Sequence, residues 1–304
     1  MTGSTVTDKE IRVVADGFSF LEAPRWHDGA LYVSDFYTHR VLRIDDDGSV
    51  QTITEVVAQP SGLGWLPDGS MLVVSMHDQK VLRLADGALS EYADLSSVAT
   101  GLANDMVVDA HGRAYVGNFG FDLMSGVEEV GTTSLALVDT DGSVRAVADG
   151  LWFPNGSMIT EDGSTLIVNE TFGNRISAFD IAADGSLGER RDWATFGPAP
   201  ETDDLHQLIL NATCGPDGGC LDAEGAVWMA DALGSKLVRV REGGEIADTI
   251  DVGDDGVFAC MLGGPHGRTL YACVAPDYDA ENRAAAREAR LMAVEVDVPR
   301  GGRP

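Results

Sequence analysis

Apolar and polar positions repeat along this chain in a pattern of short strands. Each copy has an apolar run, a tight turn ending in glycine, a second apolar run, a polar loop and a third strand. The strings EAPRWHDGALYVSDFYTHRVLRID and SGLGWLPDGSMLVVSMHDQKVLRL show the pattern most clearly. The six copies begin at Glu22, Ser61, Asn104, Asn155, Asp217 and, more weakly, near Ala259.

The spacing of the copies indicates the fold. They start about 40 to 60 residues apart, which is typical of four-stranded propeller blades with loop insertions. The last copy has no fourth strand after it, whereas IRVVAD at residues 11–16 precedes the first copy. The sequence therefore predicts an all-β fold, a six-bladed β-propeller whose ring is closed by the N-terminal strand joining the last blade. A pair of β-sandwiches is the alternative, and six copies of one signature disfavour it.

The same pattern sets the expected domain boundaries. We expect residues 1–10 to be a flexible N-terminal tail, residues 11–298 to form the propeller domain, and residues 299–304 to be a flexible C-terminal tail. The segment ENRAAAREAR at residues 281–290 is the one stretch with helical periodicity, and it predicts a loop insertion with a helical turn or two.

Composition and charge limit the classes of molecule that the chain is expected to bind. The chain of 304 residues carries 49 acidic and 21 basic side chains, a formal charge of −28. Such a field repels phosphate, so we expect no binding to nucleic acid or to an anionic membrane. No apolar run approaches the ~20 residues of a membrane span, and MTGSTVTDKE has no apolar signal-peptide core. We expect a cytoplasmic protein, a monomer or weak homo-oligomer, that acts on a small molecule.

Oxygen-bearing side chains open the innermost strands. The copies align on the turn glycines Gly29, Gly69, Gly112, Gly163, Gly225 and Gly267. Seven or eight places earlier stand Glu22, Ser61, Asn104, Asn155 and Asp217, with Ala259 in the sixth copy. Because innermost strands line the central channel, these side chains should converge on the axis. An all-oxygen set favours one hard divalent cation, Ca²⁺ first and Mg²⁺ or Mn²⁺ next. The alternative is that the Asn-Gly and Asp-Gly pairs are ordinary turns.

The loops that leave the second strand of each blade should lie on the same face as these oxygens. Aromatic residues there, namely Phe36, Tyr37, Phe119, Phe121 and Phe172, are candidates to line a pocket. The long segment 195–216, which carries His206, enters the fifth blade on that face and is a candidate lid. The residues predicted to bind substrate are Ser61, Asn118, Phe119, Glu170 and His206.

The blade starts resemble a known family. LEAPRW, PSGLGWLPDG, ANDMVVDAHG, FPNGSMITEDG and GPDGGCLDAEG are similar, in order and spacing, to those of the senescence-marker-protein/gluconolactonase/luciferin-regenerating-enzyme family of regucalcin-like lactonases. The resemblance implies a six-bladed propeller with one catalytic divalent metal held by Glu22, Asn155 and Asp217. It implies that Asn104 contacts substrate or metal-bound water, and we count Asn104 with the metal ligands as well.

The resemblance also implies catalytic roles for Asp217, as general base, and for Asn104. Two positions depart from the family pattern, because Ala23 replaces a glycine and Gly219 replaces an apolar residue. We expect a metal-dependent hydrolase of a small cyclic ester, a gluconolactonase-like lactonase, in which the cation (Ca²⁺, or else Mg²⁺, Mn²⁺ or Zn²⁺) polarises the carbonyl and activates water. The alternatives are a phosphotriesterase-like hydrolase and a non-catalytic calcium-binding propeller.

Overall fold

Strands account for almost all of the regular structure. The structure, a computed structural model, describes residues 9–121, 123 and 130–304. In these residues 24 strands form six four-stranded antiparallel sheets, arranged in a ring as a six-bladed β-propeller. The predicted fold class is confirmed.

Five blades use four consecutive strands, and the sixth uses both ends of the chain. From the axis outward, blades 1 to 3 contain β2 Leu21–His27, β3 Ala30–Asp35, β4 Arg40–Ile44, β5 Val50–Glu55; β6 Pro60–Trp65, β7 Met71–Ser75, β8 Lys80–Ala85, β9 Ala88–Asp94; β10 Ala103–Val108, β11 Ala114–Asn118, β12 Thr133–Val138, β13 Val144–Leu151. Blades 4 to 6 contain β14 Pro154–Ile159, β15 Thr165–Glu170, β16 Arg175–Asp180, β17 Arg191–Thr195; β18 Pro216–Leu221, β19 Val227–Asp231, β20 Lys236–Val240, β21 Ile246–Asp251; β22 Gly256–Gly263, β23 Thr269–Ala275, β24 Ala289–Glu295, β1 Ile11–Phe18.

The N-terminal strand closes the ring, as predicted. β1 pairs antiparallel with β24, from Ile11 opposite Val294 to Phe18 opposite Ala289. The innermost strand of each blade packs against those of its two neighbours, and β2 packs against β22 across the closure. The edge that β24 would otherwise present is therefore covered by β1.

Burial follows distance from the axis. Inner strands such as β7 and β10 are buried at every position, because neighbouring blades cover both of their faces. The outermost strands β1 and β5 are mostly exposed or half-buried. The six turn glycines used to align the repeats all have positive φ, between 65° and 88°, so the alignment rests on a backbone conformation that favours glycine.

Two short α-helices lie in loops on the face where the innermost strands begin, which we call the top face. Helix α1 (Leu205–Asn211) begins after Asp204, whose side chain accepts a hydrogen bond from the Gln207 N–H. Helix α2 (Ala280–Ala285) lies in the loop where helical periodicity was predicted. No helix in the part of the chain that the structure describes is long and apolar enough to cross a membrane.

The C-terminal segment 299–304 crosses the opposite, bottom face. Its backbone forms five hydrogen bonds with blades 4, 5 and 6, which are Ala223 N to Pro299 O, Arg300 N to Gly267 O, Gly301 N to Leu221 O, Ile159 N to Arg303 O and Arg303 N to Ile159 O. This segment was predicted to be a flexible tail. These bonds, which tie the chain end to three blades, were not anticipated. Of the expected N-terminal tail, residues 1–8 lie outside the described residues.

We expect deletion of residues 299–304 to destabilise the propeller. Each lost hydrogen bond contributes about 0.5–1.5 kcal/mol net, and the backbone entropy recovered offsets part of this. The free energy of unfolding should fall by about 1–3 kcal/mol, which lowers the thermal midpoint by several degrees. A chain shortened by Pro304 alone keeps all five bonds and is the control. Equal midpoints for the two chains would show that the segment contributes nothing.

Candidate active site

Four of the predicted oxygen ligands line one cavity at the top of the channel. Glu22, Asn104, Asn155 and Asp217 come from blades 1, 3, 4 and 5 and face the same space. This cavity is small, about 90 Å³ in volume, and it opens to solvent.

Each of these side chains sits at an interruption of the β-ladder. Pairing between the first and second strands skips two residues in five blades, after Glu22 in blade 1 and after Pro60, Ala103, Pro154 and Pro216 in the others. Such bulges turn a side chain away from the direction that regular pleating would give it. The repeated bulge is therefore the local structure that directs the polar side chains into the channel.

The sixth blade differs in this respect. The ladder of β22 with β23 runs through Ala259, which pairs with Cys273, and the irregularity falls between Val257 and Ala259. Phe258, rather than Ala259, lines the cavity. The sixth position of the ring is thus an aromatic wall and not a polar ligand.

Two buried carboxyl groups dominate the electrostatics of the cavity. Burial is the main reason why the pKa of Glu22 is raised, and the negative charge of Asp105 adds to the rise. The pKa of Asp217 lies well above its ordinary value, first because of burial and then because of the negative charge of Glu22. The Oδ1 atom of Asp217 is buried with no hydrogen-bond partner among the described residues.

A third carboxylate below the site is already neutralised. Asp105 forms a buried ion pair with Arg25, and the same guanidinium donates hydrogen bonds to the carbonyl oxygens of Leu63 and Met106. Arg25 therefore balances Asp105 and ties blade 1 to blades 2 and 3. The charge left over at the site is that of Glu22 and Asp217, which a single divalent cation would match.

The two asparagines are oriented differently. The Asn155 amide nitrogen donates to Thr171 Oγ1 at 3.1 Å, which leaves the Asn155 amide oxygen as a possible ligand. Asn104 Oδ1 instead accepts a hydrogen bond from Ser61 Oγ at 3.0 Å, so the Asn104 amide nitrogen remains to donate to a bound molecule. Ser61 itself does not line the cavity. It holds Asn104 in place.

The two departures from the family pattern have structural explanations. Ala23 has φ of 51°, a left-handed conformation that suits glycine, and its N–H donates to Glu22 Oε2 at 3.0 Å. A Cβ on Gly219 would stand 2.7 Å from the Trp228 carbonyl oxygen and 3.0 Å from Asn169 Nδ2, which donates to the Asp217 carbonyl. Gly219 thus allows the close approach of Trp228 in β19 and of Asn169, a buried residue that was not predicted from the sequence.

Besides Ser61, three of the residues predicted to bind substrate do not line the cavity. Asn118 Oδ1 accepts hydrogen bonds from Gly120 N and Thr133 Oγ1, and Asn118 Nδ2 donates to Ser134 O. Glu170 accepts from Trp152 N and pairs with Arg175. His206 is exposed on α1, although Ile209 of the same helix lines the cavity. Of the five predicted residues, Phe119 alone lies in the wall.

Asn118 and Glu170 illustrate what the last residue of the second strand does. Asp35 Oδ1 accepts from Ser19 N and Phe20 N, and Asp231 Oδ1 accepts from Gly215 N. These polar side chains, of which Asp231 is half-buried and the others are buried, hold the top-face loops. Most of them fix the loop that enters the innermost strand of their own blade. We call Asp35, Asn118, Glu170 and Asp231 the loop anchors.

The walls of the cavity are aromatic. Phe36, Phe119 and Phe172 line it as predicted, whereas Tyr37 and Phe121 pack behind them. The cavity is also lined by Phe20, Phe153, Phe258 and Tyr278, which were not predicted from the sequence. A signal was present for two of these, because Phe20 and Phe153 each stand two residues before a polar side chain of the cavity.

The residues present fit a hard divalent cation. Glu22 and Asp217 offer carboxylate oxygens, Asn155 offers an amide oxygen, and Asp217 Oδ1 lacks any other partner among the described residues. No group of three or more His, Cys, Asp and Glu side chains at metal-binding spacing occurs in the described ranges. A cation here would therefore rely on amide as well as carboxylate oxygens.

Comparisons with known proteins agree with this architecture. The sequence pattern of the SMP-30/gluconolactonase/LRE-like region matches residues 20–275. The chain belongs to this family. It is 28% identical over 299 residues to the pentonolactonase XacC of Haloferax volcanii, covering 96% of each protein, and 25% identical over 291 residues to a 6-deoxy-6-sulfogluconolactonase of Pseudomonas putida, covering 91% of each. The crystal structure of a regucalcin from Agrobacterium tumefaciens has a TM-score of 0.78, with 19% identity and 99% of both chains covered.

The buried carboxyl groups of Glu22 and Asp217 predict how the stability of the cation-free protein depends on pH. Below the ordinary carboxyl pKa of about 4, Glu22 and Asp217 are protonated in both the folded and the unfolded chain. Because the pKa values are raised in the fold, the unfolded chain releases these protons first as the pH rises, and the fold loses stability. We expect Asp217→Asn to remove roughly 1 kcal/mol or more of this loss between about pH 5 and pH 8.

Chemical denaturation of chelator-treated protein at both pH values measures this difference. Asp47→Asn makes the same chemical change on an exposed turn and should follow the parent chain. Parallel pH dependence in the parent chain and in Asp217→Asn is the outcome that contradicts a repulsive carboxylate pair.

Proposed function

We propose that this chain is a metal-dependent lactonase, in which Glu22, Asn155 and Asp217 hold one divalent cation, with Ca²⁺ the first candidate. The observation that carries the proposal is the buried Oδ1 of Asp217, which has no partner among the described residues and lies in the same cavity as Glu22. Burying two like charges costs free energy unless an opposite charge accompanies them. A divalent cation would supply the positive charge that balances Glu22 and Asp217.

The relatives support the reaction class. Two of them are named a pentonolactonase and a 6-deoxy-6-sulfogluconolactonase, and each aligns over nine-tenths or more of its length. Similarity across the whole propeller, together with a cavity on the channel axis, favours the hydrolysis of a lactone as the activity of this chain too. The calcium-binding description of the regucalcin structure is consistent with the oxygen donors here.

Each polar residue of the cavity would have a separate role in hydrolysis. When bound, the cation supplies positive charge that polarises the ester carbonyl and makes a water molecule more acidic. Asn104, held by Ser61, donates a hydrogen bond from its amide nitrogen to the substrate or to the attacking water. Asp217 would accept the proton of the attacking water through the carboxylate oxygen that does not contact the cation. Asn155 would offer its amide oxygen to the cation, since its amide nitrogen donates to Thr171.

Hydrolysis of γ- and δ-lactones, measured after chelation and after adding back Ca²⁺, Mg²⁺, Mn²⁺ or Zn²⁺, tests the proposal. We expect chelated protein to be inactive and one or more cations to restore turnover. Asp217→Asn should lower kcat at least about a hundredfold, as expected when a general base is lost. Asp47→Asn, on an exposed turn, should keep the parent rate.

Asn104→Ala separates positioning from metal binding. It should lower kcat/KM about tenfold to a hundredfold while leaving the cation affinity, measured by calorimetry, within about threefold of the parent value. Lactone hydrolysis that continues at full rate in the presence of chelator would falsify the metal-dependent mechanism. Cation binding without turnover of any lactone would instead favour the non-catalytic calcium-binding propeller.

A further inference from the structure

The cavity has a polar floor and apolar walls. Apart from the four oxygen-bearing side chains, its described lining contains six phenylalanines, the aliphatic residues Leu123, Ile209, Ala232 and Leu233, and only Thr171 and Tyr278 as polar side chains. The phenylalanines are Phe20, Phe36, Phe119, Phe153, Phe172 and Phe258. Each of the six is less than 7% exposed, so their rings are held within the fold.

The two remaining polar side chains offer little to a ligand inside. Thr171 Oγ1 donates its proton to the Pro216 carbonyl at 3.0 Å and accepts from Asn155, so its hydroxyl is committed. Tyr278 is 52% exposed and contacts Phe258 by its ring edge, which places it at the mouth. The described wall between floor and mouth therefore presents ring faces and edges rather than hydrogen-bonding groups.

Ring-to-ring contacts fix this wall in two arcs. Phe20 packs against Phe258 with ring centroids 4.7 Å apart and against Phe36 at 5.6 Å. On the other side Phe153 packs against Phe119 at 4.3 Å and against Phe172 at 5.7 Å. Contacts of this kind hold aromatic side chains in defined positions, so the wall is preorganised.

Among the described residues, the polar side chains that adjoin these arcs in the sequence already have partners. The loop anchors Asp35 and Glu170 stand immediately before Phe36 and two residues before Phe172, and their oxygens accept hydrogen bonds from their own blades. They are not available to pair with the hydroxyl groups of a ligand. A hydroxyl placed against this wall would lose its water and gain no partner.

We infer that the substrate is a lactone whose ring carries an apolar alkyl or aryl substituent rather than hydroxyl groups. This inference rests on the proposed function and names the substrate class of the same site. The ester group lies on the polar floor, where Asn104 can donate to it, and the substituent lies between the two phenylalanine arcs. Each methylene buried there should improve kcat/KM about fourfold until the cavity is filled. Each unpaired hydroxyl should lower it about tenfold or more.

Binding of lactams tests the inference separately from catalysis. A γ-lactam has the ring of a γ-lactone but resists hydrolysis, so its affinity does not depend on turnover. Calorimetry with Ca²⁺ present should show that a pentyl-substituted γ-lactam binds at least about a hundredfold more tightly than a polyhydroxylated γ-lactam of similar size. Tighter binding of the hydroxylated lactam overturns the inference, whatever the lactone assays show.

A substitution in the phenylalanine wall, compared with a matched control, tests whether the two arcs cause the preference for apolar ligands. Phe153→Leu shortens the wall and should reduce the gain per methylene in lactam affinity from about fourfold to about twofold. Phe179→Leu makes the same change at a buried phenylalanine that packs with Val107 and Leu166, away from the cavity, and should keep the parent gain. Phe172→Leu is the second wall variant if Phe153→Leu does not fold, as judged by its thermal midpoint.

Different results would contradict the apolar substrate class and the lactonase proposal. Turnover of aldonolactones in preference to alkyl lactones, in the presence of the restoring cation, would overturn the apolar substrate class and leave the lactonase proposal intact. Preferential binding of the alkyl lactam with no turnover of any lactone would support the apolar cavity and count against the lactonase.

Discussion

Glu22 and Asp217 lie far apart in the sequence, yet their carboxyl groups are buried in one cavity and each disfavours ionisation of the other. When both groups are ionised, their repulsion raises the free energy of the fold, and the backbone has to hold them together. The closed ring provides this restraint, because every innermost strand packs between two neighbours and β1 closes the last blade. Arg25 adds to it by joining three blades directly below the site and by neutralising Asp105.

Repetition explains why so much of the fold was predictable. Six copies of one signature fix the number of blades, and the missing fourth strand at the end of the last copy points to the N-terminal segment. The same alignment placed Glu22, Asn104, Asn155 and Asp217 at equivalent positions, and the structure brings these four together. A position that recurs in several aligned copies can be recognised even where one copy departs from the pattern.

The features that sequence reasoning missed are those that depend on where a side chain points. Asn118 and Glu170 were expected in the pocket because their strands end on the top face, but backbone N–H groups nearby need acceptors, and these side chains supply them. Ala259 occupies the expected repeat position, yet a shifted bulge presents Phe258 instead. Residues 299–304 have no repeat signal, so their hydrogen bonds to three blades could not be anticipated.

The loop anchors and the cavity walls are different residues with different tasks. Asp35, Asn118 and Glu170 hold the loops by hydrogen bonds to the backbone, while the phenylalanines that follow them, Phe36, Phe119 and Phe172, line the cavity. A scaffold divided in this way can exchange the residues that face the ligand without losing the bonds that shape its loops. Natural divergence of selectivity, and laboratory libraries randomised at the aromatic positions alone, can therefore explore new substrates on an unchanged frame.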